Sequence, residues 1–117
     1  DGDWLFYIGR SYNDRWLIDR QLNGNVCEAR IWDVARTQQE IWKNMYDIED
    51  PENEAHLAAY WKFNEGSGND IKDYSKYHND AHIVRYWKDF NSKEEYDVKN
   101  EELWPSGIEV PQVNRED

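Results

Sequence analysis

Apolar and polar residues alternate in two stretches of this chain. Between Val26 and Trp32, the residues Cys27, Ala29 and Ile31 fall on one side, and Val26, Glu28, Arg30 and Trp32 on the other. Between Leu57 and Asn64, the residues Leu57, Ala59, Trp61 and Phe63 share one side, and Ala58, Tyr60 and Lys62 the other. A period of two sends successive side chains to opposite faces, so both stretches predict strands. Asn23-Gly24 precedes the first as a turn pair, because both residues tolerate a positive φ. Thr37-x-x-Glu40 reads as a capping box. It opens a helix placed near 38–46, with Ile41 and Met45 as the buried stripe and Trp42 at its margin. Asp50-Pro51 ends any helical tendency.

The remaining patterns are shorter. Trp4 to Ile8 is apolar on both faces, as in a strand between layers. Gly9 to Asn13 reads as punctuation, and Arg15 to Ile18 as a short strand. Glu65 to Asp70 is a turn-rich loop. Ile71 to Asp73 and Ala81 to Tyr86 read as two further strands, linked by polar turn residues from Tyr74 to Asp80. Beyond Trp87 the periodicity fades, and residues 88–103 read as an acidic stretch without regular structure. Trp104 to Val110 reads as a last strand, with Pro105 and Pro111 restricting its ends. Several short strands and one helix predict an all-β sandwich. Strands with this many inward aromatics need a second layer, so the chain is expected to be the rear portion of a larger domain. Residues 1–87 would form that portion, and residues 88–117 an acidic C-terminal extension.

Composition adds to this picture. A chain of 117 residues suits one domain, which buries roughly two thirds of its unfolded surface. Seven Trp and eight Tyr supply large apolar area and suit a sandwich or a ligand-stacking surface. The formal net charge is −11, concentrated in the loop 47–56 and in residues 86–117. Phosphates would be repelled, which argues against a nucleic-acid partner; solvated surface is the expected role of the acids. Cys27 is the only cysteine, so no internal disulfide forms. On the apolar face of its strand it is expected to act as a small hydrophobe. No apolar run reaches the ~18 residues of a membrane span.

Candidate chemistry is sparse. Glycoside hydrolysis needs two carboxylates about the scissile bond. Glu28 stands alone on its strand, with Arg30 on the same face. A neighbouring guanidinium favours ionised carboxylate, the opposite of what a general acid requires. An ion pair is therefore expected, and the chain is read as non-catalytic. His78 and His82 are four apart, but in a turn and strand rather than on a helix, so solvent exposure is expected. Asn69, Asp70, Asp73, Ser75, Asn79 and Asp80 form an oxygen-rich run. Calcium takes such ligands, with Asp73 and Asn79 as candidates, but Asx turns explain the same composition without metal. No other cofactor is indicated. Gly66-Ser67-Gly68 lacks the frame of a phosphate loop. Sugar rings stack on Trp faces while polar neighbours hold hydroxyls. By that logic Trp32 with Arg30, and Trp16 beside Arg15 and Asp19, are the candidate ligand contacts.

Two segments carry a family resemblance over roughly residues 5–85. Leu22-Asn23-Gly24-Asn25-Val26-Cys27-Glu28-Ala29-Arg30-Ile31-Trp32, followed by Ala35-Arg36-Thr37 and Glu40-Ile41, resembles the closing segment of laminin-G-like, concanavalin-A-like jelly-roll domains. Leu57-x-x-Tyr60-Trp61-x-Phe63-Asn64-Glu65-Gly66-Ser67-Gly68, with Asp73-x-Ser75 and Asn79, is similar to their other signature. Many members place the Tyr-Trp-x-Phe motif first; here it comes second, as in versions from bacterial cell-surface lipoproteins. Cys27 stands where an Asp is common. The resemblance implies a partial jelly-roll β-sandwich and a non-catalytic module that binds glycan or another extracellular ligand. It also implies a cell-surface, outer-membrane-associated lipoprotein whose anchor lies outside this sequence. Two alternatives remain open: an accessory lipoprotein docked on an outer-membrane nutrient importer, and an accessory part of a glycoside hydrolase whose carboxylates lie upstream.

Overall fold

The computed structural model describes residues 7–12, 18–21, 24–88 and 92–106. They form mostly strands, in small antiparallel sheets, with two short helices. The strands are β1 (Arg10–Tyr12), β2 (Ile18–Gln21), β3 (Ala29–Trp32), β4 (Leu57–Trp61), β5 (Asp70–Ile71), β6 (Ala81–His82), β7 (Tyr86–Lys88) and β8 (Glu95–Asp97). The helices are α1 (Gln38–Lys43) and α2 (Asn100–Leu103), with a 3-10 turn at Pro51–Asn53. The strands pair β1 with β2, β3 with β4, β5 with β6 and β7 with β8, each antiparallel.

The described residues fall into two compact units. One contains the β1–β2 and β7–β8 hairpins. In β7–β8, Trp87 lies opposite Tyr96 and their rings stack at 5.0 Å. The other unit spans 26–84 and 98–106, and it holds the buried core.

That core is built on both faces of β4. Tyr60, Leu57 and Ile48 form one apolar group, joined by Trp32 and Tyr74. Trp61, Ala59 and Ile71 form the other, joined by Ala29, Ile31, Phe63, Ala81, Ile83 and Trp104. Simple alternation would put Leu57 with Trp61. A bulge intervenes: Ile31 lies opposite Ala59, but Trp32 lies opposite Leu57, so Ala58 is the extra residue. The extra residue shifts the alternation by one and moves Leu57 to the Tyr60 face. Full burial of a side chain such as Leu57, Ile48 or Ile71 contributes about 1.5–3 kcal/mol each.

The alternating stretch before Trp32 is a strand only from Ala29. Glu28 adopts a left-handed φ of 52°, which ends the ladder. Cys27 therefore lies outside the strand and is exposed, not on an apolar face. The capping box forms as expected: Thr37 Oγ1 accepts from Glu40 N at 3.1 Å, and Thr37 N donates to Glu40 Oε1 at 2.8 Å. Helix α1 ends at Lys43, short of the expected 46, where Asn44 caps it. Ile41 is 53% exposed, so of the expected stripe only Met45 is half-buried, as is Trp42 at its margin.

Other expectations shift as well. β1 occupies residues read as punctuation, and β8 and α2 lie within the stretch read as irregular. Trp104 caps α2 instead of opening a strand, and residues 107–110 lie outside the described residues. The strand expected at Trp4 to Ile8 is described only at Tyr7 and Ile8, which are exposed and not in a strand. Of Arg15 to Ile18, only Ile18 is described.

Candidate functional site

The β3–β4 register sets Arg30 opposite Tyr60. Side chains two apart in a strand share a face, so Arg30 and Trp32 lie on the side of Tyr60, and Glu28 and Lys62, just beyond the strand ends, reach the same site through their contacts with Arg30 and Tyr60. The Glu28–Arg30 ion pair expected from that shared face is present: Arg30 Nη2 contacts Glu28 Oε1. The left-handed turn at Glu28 lies next to this contact. Arg30 Nη1 donates to the Asn44 carbonyl, which ties the end of α1 to the strand. Arg30 Nε is buried and has no acceptor among the described residues.

Tyr60 is fully buried, and its hydroxyl is 3.0 Å from Glu28 Oε1 and 3.1 Å from Asp47 Oδ1. One O–H serves two carboxylates, so it donates to one at a time. Burial, then the hydrogen bond and charge of Glu28, push the Tyr60 phenol far above its ordinary range. A phenol so placed stays protonated and is no nucleophile. Lys62 Nζ lies 3.5 Å from Asp47 Oδ1. Desolvation opposes ionisation of Asp47, but the Tyr60 hydrogen bond and the Lys62 charge outweigh it and hold its carboxyl below the usual range.

Aromatic rings on this face are capped by cations. The Arg36 guanidinium lies 3.6 Å from the centroid of the Trp32 ring. Arg30 and Lys62 lie 5.1 and 5.6 Å from that of Tyr60. Lys62 and Lys72 lie 4.8 and 4.6 Å from that of Tyr74. These separations are those of cation–π attraction. Arg36 is also held by Asn44 Oδ1 at 3.1 Å. The result is a row of half-buried and buried aromatics interleaved with guanidinium and ammonium groups.

Of the expected ligand contacts, the fold brings Arg30 and Trp32 together on one face of β3. Trp16 lies outside the described residues. Sequence reasoning missed Arg36, Asn44, Asp47, Tyr60 and Lys62. Tyr60 and Lys62 were legible as the second face of β4, but their meeting with Arg30 needs the register. Asp47 was read as part of a solvated loop.

The oxygen-rich run serves the fold. Asp73 is fully buried, and its Oδ1 accepts from Tyr60 N at 2.9 Å and Ser75 N at 2.8 Å. Its Oδ2 accepts from Asn79 N at 2.8 Å and from Ser75 Oγ at 3.0 Å. Asn79 also accepts from Trp61 Nε1 through its carbonyl, at 3.1 Å. The Asp73 lone pairs that a cation would need are aimed at protein donors, so this carboxylate is committed to the fold. Among the described residues, no group of three His, Cys, Asp or Glu side chains converges as a metal site would. The histidines lie on the surface beside acids: His78 Nε2 is 3.2 Å from Glu52, and His82 Nδ1 is 3.0 Å from Asp70.

No family model matches the chain, and comparison with curated proteins and with solved structures finds no match either. Among the described residues, no helix is long and apolar enough to cross a membrane.

Proposed function

We propose that this chain is a non-catalytic ligand-binding module that holds a glycan on the aromatic–cation face of β3 and β4. The observation that carries the reading is the meeting of Trp32 with Arg30, its neighbour on one face of β3, and with Arg36, which reaches the indole from the connector before α1. A sugar offers C–H surface to a ring and hydroxyls to flanking polar groups; here the part of the half-buried Trp32 indole that Arg36 and the Tyr60 group leave open would receive the first, and Arg30, Arg36 and Glu28 the second. The carboxylates beside it support a binding role over a chemical one. Glu28 is engaged by Arg30 and Tyr60, and Asp47 by Lys62 and Tyr60. On this reading the small sheets belong to a laminin-G-like jelly-roll sandwich completed by further chain. The module works at the cell surface, as part of an outer-membrane-associated lipoprotein.

A glycan array probed with the full chain tests this. The reading expects retention on a subset of glycans that falls several-fold in Trp32→Phe, which keeps the ring but shrinks the stacking area. Equal retention by both proteins, or none by either, contradicts it. A second reading, docking on an outer-membrane importer, draws support from the β7–β8 hairpin, where Tyr86 is 54% and Tyr96 38% exposed. Exposed tyrosines suit protein contacts. Co-purification with a transporter that is lost in Tyr86→Ser, with no glycan retention, would favour it.

A further inference from the structure

The Trp32 end of the face carries its charges in matched pairs. Arg30 contacts Glu28, Arg36 Nε lies 4.0 Å from Glu40 Oε1, and Lys62 Nζ lies 3.5 Å from Asp47 Oδ1. Each cation near Trp32 and Tyr60 thus already has its own carboxylate, in a chain whose formal net charge is −11. Lys72, over Tyr74, belongs to none of these pairs.

An anionic ligand at Trp32 would have to take a cation away from its carboxylate. The displaced carboxylate would then stand beside the incoming anion, within a field that is already negative. A neutral polyhydroxylated ligand meets no such penalty. Carboxylate oxygens keep spare lone pairs while bound to a cation, and a guanidinium has five N–H donors, so both can hydrogen-bond hydroxyls without breaking the pair. Building on the reading above, we propose that the ligand held at Trp32 is an uncharged glycan, and that sugars bearing carboxylate or sulfate are rejected by the pre-neutralised face.

The test uses the full chain and polymers that differ in charge: dextran, mannan and xylan against dextran sulfate and polygalacturonate. Affinities are measured by calorimetry at ~20 mM and ~500 mM salt, where the screening length differs several-fold. The proposal expects binding of at least one neutral polymer, weakened several-fold in Trp32→Phe and changed less than about twofold by salt. Tighter binding of an acidic polymer at low salt, lost in Trp32→Phe or in Lys72→Ala, overturns the uncharged-ligand assignment. The loss in Trp32→Phe would leave the glycan reading standing. Binding of no polymer, or neutral binding indifferent to Trp32→Phe, overturns the glycan reading and this inference with it.

Discussion

Asp73 is the side chain whose removal should damage the fold most. Its carboxylate accepts from the backbone N–H groups of Tyr60, Ser75 and Asn79, and from the Ser75 hydroxyl, with no solvent exposure. These bonds lace the segment 73–80 onto β4, as does Tyr74 N, which donates to the Tyr60 carbonyl at 2.8 Å. In Asp73→Ala the three N–H donors lose their acceptor. Each buried donor left unpaired costs about 1–3 kcal/mol, which puts the loss for three at about 3–9 kcal/mol. A domain of this size has about 5–15 kcal/mol in all, so the variant should be near or past unfolding.

Asp73→Asn is the finer probe. Either amide orientation sets an NH2 group against at least one backbone N–H, costing about 1–3 kcal/mol. That is roughly 4–12 °C in melting temperature. The pH dependence carries a second signature. Desolvation raises the Asp73 carboxyl, but the bonds from Ser75, Tyr60 and Asn79 together outweigh it and hold it below the usual range. A folded value below the unfolded one means that stabilisation is complete above the unfolded value of about 3.9 and is lost as pH falls through the folded value. The stability gap between the wild type and Asp73→Asn should therefore be constant near neutrality and close in the acid range below ~4. Urea unfolding followed by tryptophan fluorescence measures both. A cost of Asp73→Ala under ~0.5 kcal/mol, or a gap that stays constant into acid, would refute the reasoning.

Tyr60→Phe removes the hydroxyl shared by Glu28 and Asp47 and should cost about 1–2 kcal/mol in urea unfolding; spectroscopic titration should show one tyrosine fewer that resists ionisation at high pH. Leu57→Ala empties a fully buried position and should cost about 2–5 kcal/mol. Ile41→Lys should shift stability by no more than ~0.5 kcal/mol, because the side chain already faces solvent. Cys27 should react with a thiol reagent in the native protein at close to the rate of a denatured control, since it is exposed.

Local rules were readable and non-local ones were not. Thr37 and Glu40 form their capping box because the motif lies within one turn and needs nothing from elsewhere. The alternation in β4 gave two faces correctly for Ala59, Tyr60 and Trp61. It failed at Leu57, because a bulge shows only in the partner strand's register. Glu28 looks like any strand residue, yet its left-handed φ ends β3 and exposes Cys27. Ile41 has helical spacing, but which stripe of so short a helix is covered depends on its neighbours. β8 escaped notice because Glu95-Tyr96-Asp97 offers one aromatic among acids, and only pairing with Tyr86–Lys88 makes it a strand. At the candidate site the sequence pointed to Arg30 and Trp32. Arg36 joins them from the connector before α1 and Asp47 from the return of the chain after it, meetings that no spacing encodes.

The central claim is that the Trp32 face holds a glycan, and NMR spectra of the tryptophan indole N–H groups test it most directly. The chain has seven tryptophans, so seven indole N–H signals can be followed during titration with a neutral oligosaccharide. The Trp32 signal, assigned by its loss in Trp32→Phe, should move saturably and first. A Trp32 signal that stays fixed while another indole moves, or no movement in any of them, would contradict the account.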